Sequence, residues 1–235
     1  MKIHCLVHLD FETLGNIREW TCEKEHSLHV IVPSEKQLFP DPEDVDLLII
    51  MGGLMSVYQE AEYPWLKQEK EFVESVISCG KAVYGICFGA QMLSEVLGGQ
   101  VSQNQYREIG WHKVRALDEL NKNKQLFHVQ DEFAVFQWHG DTFTLPNGCR
   151  RLFESEACSE QGFIYGDRVL ALQFHPEVDV CCVESLLENC SSDLAEDGKY
   201  ISSENEIRGR DDLLEVSANL MFSILDWFEN IIEKT

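Results

Sequence analysis

The stretch that most constrains the fold is 81–97, Lys81-Ala-Val-Tyr-Gly-Ile-Cys-Phe-Gly-Ala-Gln-Met-Leu-Ser-Glu-Val-Leu97. Residues 82–86 are a short apolar run with β-branched and aromatic members, which suits a strand buried on both faces. After Ala90 the apolar residues Met92, Leu93, Val96 and Leu97 fall at i, i+1, i+4 and i+5, a helical stripe, and Gly98-Gly99 stop it. Between strand and helix, Gly85-Ile-Cys-Phe-Gly89 puts a cysteine on a tight turn, with a glycine two residues away on each side. Side chains on such turns sit in strained backbone geometry, and the flanking glycines relieve the crowding. This is a nucleophile elbow, with a thiol where hydrolases more often carry a hydroxyl. A sulfur placed there lies over the first amides of a helix, whose partial positive charge stabilises a thiolate. A free cysteine is commonly just a small buried hydrophobe; the two glycines and the strand–helix context weigh against that here.

The chain before the elbow alternates. Residues 2–9 read as a strand, 11–25 as a helix with Leu14, Ile17, Trp20 and Thr21 inward, and 27–32 as a second strand stopped by Pro33. Residues 45–51 form a third strand, apolar except for Asp46, and 65–79 have helical periodicity. Continuous apolar strands separated by helices predict an α/β fold, a doubly wound, mostly parallel sheet covered on both faces. After Gly98 the character changes. Short strands are expected at 100–102, 110–116, 134–138, 149–154, 162–165 and 169–174, with turn signals such as Pro146-Asn-Gly148, so a small antiparallel excursion joins the sheet. Residues 178–190 and 213–232 are helical by pattern, and the polar stretch 191–210 between them reads as a mobile insertion. No linker or internal repeat divides the chain, so 1–235 is expected as one domain.

Composition limits the partners. A net charge of -22 over 235 residues repels phosphate backbones and anionic membranes, so neither nucleic acid nor a lipid surface is expected. No apolar run of about 18 residues is present, and the first residues are too short an apolar run for a signal peptide. Nine scattered cysteines form no disulfide framework, and a reducing, cytoplasmic setting is expected. No cofactor is expected either: phosphate-loop and dinucleotide signatures are missing, and no Cys/His spacing suits a metal.

An activated thiol needs a base, and the base needs an orienting group. His175, in Leu170-Ala-Leu-Gln-Phe-His-Pro-Glu-Val178, ends an apolar strand, where an α/β sheet presents its site. Pro176 keeps the chain extended, so residues i and i+2 share a side and Glu177 can reach the imidazole of His175. Gly52-Gly53 follows the third strand; with the amide of Phe88, the Gly53 N–H can form an oxyanion hole. A tight structural turn is the other reading of that diglycine. His139 lies in Gln137-Trp-His-Gly-Asp141, a polar break after a strand.

Gly85-Ile-Cys-Phe-Gly-Ala-Gln91, Gly52-Gly53 and Phe174-His-Pro-Glu177 together resemble the class I glutamine amidotransferases, over about residues 46–178. The segment Gln137-Trp-His-Gly-Asp141 is similar to the corresponding region in the amidotransferase domain of GMP synthase and in free-standing bacterial relatives. The resemblance implies a flavodoxin-like fold and a triad of Cys87, His175 and Glu177. It also implies oxyanion donors at Gly53 and Phe88, and substrate contacts from Gln91, His139, Gly140 and Asp141. Leu54 departs from the proline frequent after the diglycine, and 191–210 lies outside the usual core. No ATP-pyrophosphatase signature of the Ser-Gly-Gly-x-Asp-Ser type is present in this sequence, and a glutaminase subunit with a synthetase or ligase as its partner chain is one of the enzyme readings.

The expected activity is hydrolysis of a γ-glutamyl amide, glutamine first, through a thioester. A γ-glutamyl peptidase or hydrolase uses the same triad without an ammonia acceptor. A catalytically idle regulatory or binding protein on the same fold is the alternative of another class, and the intact triad weighs against it.

Overall fold

A computed structural model describes residues 1–35, 38–117, 120, 126–127 and 129–234. Among these described residues nine strands form one mixed sheet in the order β2-β1-β3-β4-β9-β8-β7-β5-β6. Its parallel half is β1 (Lys2–Leu6), β2 (Ser27–Ile31), β3 (Leu47–Ile50), β4 (Ala82–Ile86) and β9 (Val169–Leu172). That half has the strand order of a flavodoxin-like doubly wound sheet, as the alternation of the sequence predicts. The antiparallel half is β8 (Gly162–Tyr165), β7 (Cys149–Ser155), β5 (Val101–Ala116) and β6 (Glu132–Phe143).

The central strands are apolar on both sides because both sides are covered. Ile3, Leu47, Ile49 and Tyr84 face a core completed by α1 (Gly15–Glu23) and the long C-terminal helix α6 (Asp211–Glu233). Leu6, Leu48, Ile50 and Val83 face the opposite core, under α2 (Trp65–Ser78) and α3 (Phe88–Val96). Alternate residues on one strand thus enter different cores, the period-2 consequence of the pleat. α1 is shorter than the helix expected over 11–25: it begins at Gly15, and residues 8–13 are loop.

Two differences lie in the antiparallel half. The strands expected at 100–102 and 110–116 are one sixteen-residue strand, β5, paired with β6 through an irregularity between Gln103 and Glu108. Its polar middle reads as loop because that part of the ribbon extends past the covered sheet and has little apolar surface to bury. Residues 191–210, expected as a mobile insertion, carry structure packed on this ribbon. They include a 3-10 turn at Ser191–Ala195 and a short helix, α5 (Glu204–Ile207). The Ile109 amide donates to the Tyr200 carbonyl (2.9 Å), and the Ser202 amide donates to the Ile109 carbonyl (2.9 Å). Ile207 is buried in a third core with Ile109, Phe136, Trp138 and residues of α4 (Val180–Asn189). Widely spaced single apolar residues anchor this segment, and they form no periodic signal.

Candidate active site

The elbow is built by close approach. Cys87 has φ 52 and ψ -104, one of two non-glycine residues with positive φ among those described. Its amide donates to the carbonyl of Leu172 (2.8 Å), so the β4–β9 pairing continues to the turn itself. A Cβ on Gly85 would lie 2.4 Å from the carbonyl oxygen of Gly89, and one on Gly89 would lie 2.2 Å from the carbonyl oxygen of Ile50. The two glycines therefore let α3 start directly on top of β3 and β4. Gly89→Ala places a methyl group against fixed backbone and is expected to cost about 3 kcal/mol. Thermal unfolding should show a fall in Tm of roughly 10 °C.

His175 continues the line of β9, its amide donating to the Phe136 carbonyl of β6 (2.9 Å). The following turn is held from α1: the Asn16 amide donates to the Glu177 carbonyl (2.9 Å), and Asn16 Nδ2 donates to the Val178 carbonyl (2.9 Å). The Glu177 side chain folds back so that Oε1 accepts from His175 Nδ1 at 2.7 Å, as the i, i+2 spacing predicts. With Nδ1 on the carboxylate, Nε2 is the nitrogen left for Cys87; it is buried and makes no hydrogen bond to a described residue. Burial alone would lower the pKa of His175; the charges of Glu177 and Cys87 outweigh it and hold the imidazole well above its ordinary value. Cys87 is 6% exposed, and its Sγ also lies 3.7 Å from the Trp138 carbonyl.

Two cavities meet at Cys87. A larger, polar one of about 450 Å³ is lined by Gly53, Gln91, Gly140, Asp141, Arg107 and Asp193. A small apolar one of about 50 Å³ lies beside His175 and Glu177, under Phe11, Cys182 and Leu186. Leu54, 59% exposed, lines both. The amides of Gly53 and Phe88 have no protein hydrogen-bond acceptor among the described residues.

The remaining residues singled out from the sequence divide. Gln91 reaches the polar cavity, with Nε2 donating to Gln173 Oε1 (3.2 Å) and to the Asp141 carbonyl (3.4 Å). Asp141 Oδ2 accepts from Ser56 Oγ (2.6 Å). His139 also lines the polar cavity, but its side chain has no solvent exposure: Nε2 bonds Glu108 Oε2 (3.0 Å) and Nδ1 bonds the Asp141 carbonyl (2.9 Å). Both ring nitrogens are therefore occupied, and the imidazole supports the cavity wall instead of offering a free group to a ligand. Arg107, paired with Asp193 and Glu196 at 3.0 and 3.1 Å, also lines the cavity. No sequence pattern links these three; the folding of 191–196 over the ribbon brings them together.

A cysteine on a strand-to-helix elbow and an imidazole–carboxylate pair line one cavity at the carboxyl edge of the parallel strands, an arrangement of the doubly wound α/β proteins. The sequence profile described as glutamine amidotransferase class-I matches residues 7–189, and the chain belongs to that family. The glutamine amidotransferase-like protein YfeJ of Salmonella typhimurium is 29% identical over 214 residues, 88% of this chain and 90% of that one. GMP synthase of Bacillus mycoides is 30% identical over 181 residues, 74% of this chain but 33% of the synthase. The chain thus matches only a third of that synthase's length. A crystal structure of a glutamine amidotransferase from Thermotoga maritima has a TM-score of 0.87 at 33% identity and covers 97% of both chains. Among the described residues no helix is long and apolar enough to cross a membrane.

Proposed function

We propose that the chain hydrolyses a γ-glutamyl amide, with glutamine giving glutamate and ammonia. The observation that carries this reading is Cys87 at the strained elbow beside an imidazole that Glu177 holds at 2.7 Å. The Cys87 thiolate attacks the γ-carbonyl carbon, and the negative charge that develops on oxygen is met by the Gly53 and Phe88 amides. As the tetrahedral species collapses, the C–N bond breaks and His175 protonates the departing nitrogen, leaving a thioester. The same imidazole then takes a proton from water, which cleaves the thioester and frees Cys87. Gln91 and the Gly140–Asp141 backbone line the space for the rest of the glutamyl group.

A γ-glutamyl peptidase or hydrolase is the second reading. The polar cavity favours it, since its volume of about 450 Å³, with Arg107 and Asp193 also in its lining, leaves more room than an ammonia leaving group needs. In the first reading, a synthetase or ligase chain accepts the ammonia.

The test is mass spectrometry after treatment with the glutamine analogue diazo-oxo-norleucine, followed by rates of ammonia release from glutamine and of cleavage of γ-glutamyl dipeptides. A Cys87 adduct with turnover of glutamine supports the first reading, and turnover of dipeptides alone supports the second. Neither adduct nor turnover would leave a catalytically idle protein.

A further inference from the structure

His8, in the loop after β1, is enclosed by protein, and so is Glu69 of α2; both side chains have no solvent exposure. His8 Nε2 lies 2.9 Å from Glu69 Oε1, and Nδ1 lies 2.6 Å from the carbonyl oxygen of Gly52. The ring is stacked on Trp65 of α2 and meets the ring of Phe88 edge-on, at centroid distances of 5.8 and 4.7 Å. Glu12 approaches from the loop before α1, accepting from the His8 amide at 3.4 Å; burial pushes its carboxyl up to about 7. A buried carboxylate is costly to keep, and Glu69 Oε2 has no hydrogen-bond partner among the described residues. Nothing in the reaction above uses this pair directly.

Its significance lies in which peptide it grips. The Gly52 carbonyl and the Gly53 N–H belong to one peptide plane, and no described peptide is cis. In a trans peptide the two groups point in opposite directions. A plane flanked by glycine on both sides can rotate with little steric resistance. Half a turn would present the carbonyl oxygen to the cavity, replacing a donor by an acceptor that repels an oxyanion. We infer that His8 and Glu69 clamp the Gly52–Gly53 peptide with its N–H turned toward Cys87, and so act as positioning residues for the oxyanion donor. The clamp rests on the reading of Gly53 as that donor.

Proton counting supports the clamp. Both partners of the ring are acceptors, a carbonyl and a carboxylate, so a proton must lie between the ring and each of them. Either His8 is an imidazolium beside ionised Glu69, or neutral His8 keeps its Nδ1 proton and Glu69 is protonated. In both forms Nδ1 donates to Gly52. Burial opposes the charged ring, but Glu69, the nearest carboxylate, and Glu12 raise the pKa of His8 above its ordinary value.

The test compares His8→Leu and His8→Asn in the full chain. His8→Leu is expected to lower kcat for glutamine by about 100-fold with KM nearly unchanged, because an oxyanion donor acts in the transition state. Alkylation of Cys87 by iodoacetamide, which forms no carbonyl oxyanion, should keep its wild-type rate. His8→Asn, whose Nδ2 can take the place of Nδ1, should recover most of the lost kcat. Equal losses of both rates, or no rescue by asparagine, would overturn the clamp. If the variants do not fold, nitrogen-15 NMR of the wild-type His8 ring decides: a protonated Nδ1 is expected, and a bare Nδ1 overturns it. That measurement stands even if the wild-type chain turns over no γ-glutamyl amide, an outcome that would sink the proposed function instead.

Discussion

Cys87→Ala is expected to lower glutamine hydrolysis by about 10⁴-fold or more, the scale seen when a covalent nucleophile is removed. Water attacking directly would have to replace a sulfur already positioned over the γ-carbonyl, and neither His175 nor the oxyanion amides can supply the missing acyl intermediate. The same position makes a second, opposite prediction for stability. At φ 52 and ψ -104 a residue with a Cβ is strained, at a cost of order 1–3 kcal/mol. Cys87→Gly removes that strain, partly offset by the larger unfolded-state entropy of glycine. It should be as inactive as Cys87→Ala yet more stable by about 1 kcal/mol, a Tm higher by roughly 2–4 °C. An alanine variant more stable than the glycine variant would show that the elbow is unstrained; an alanine variant that still hydrolyses glutamine would remove Cys87 from the chemistry.

Glu177→Gln keeps the shape of the side chain and removes its charge, and is expected to cost on the order of 10³–10⁴ in kcat near neutral pH. An amide can meet His175 Nδ1 with its NH₂ group, which forces the ring proton onto Nε2, the nitrogen that must take the thiol proton. The pH dependence gives a sharper check. In the wild-type chain the imidazole titrates well above its ordinary value because the Glu177 and Cys87 charges overcome burial. A group whose folded pKa is raised adds stability that is fully present below the unfolded value near 6.5 and fades as pH rises through the folded value. The stability lost in Glu177→Gln should therefore be largest at mildly acid pH and shrink as the solution is made alkaline. NMR titration of His175 in the variant should show its pKa falling. An unchanged pKa, or a stability gap that widens with rising pH, would contradict the pairing.

Much of this site was legible in the residues because it is local. Gly85, Cys87 and Gly89 specify an elbow within five residues, and the His175–Glu177 contact follows from the two-residue period of extended chain beside a proline. Continuous apolar runs at 47–51 and 82–86 mean a sheet covered on both faces, since no other surroundings would keep them from water. What the sequence could not determine depends on meetings across long separations. β5 reads as two fragments because its polar middle is strand only by pairing with β6, and 191–210 reads as mobile because its anchors are isolated residues that find Ile109 and Trp138 only in three dimensions. His139 looks like a ligand-binding residue in its motif, yet Glu108, thirty-one positions away, takes its ring into the interior. His8 and Glu69, sixty-one positions apart, have no pattern at all: only the packing of α2 over one face of the sheet brings a carboxylate to the imidazole that meets the Gly52 carbonyl.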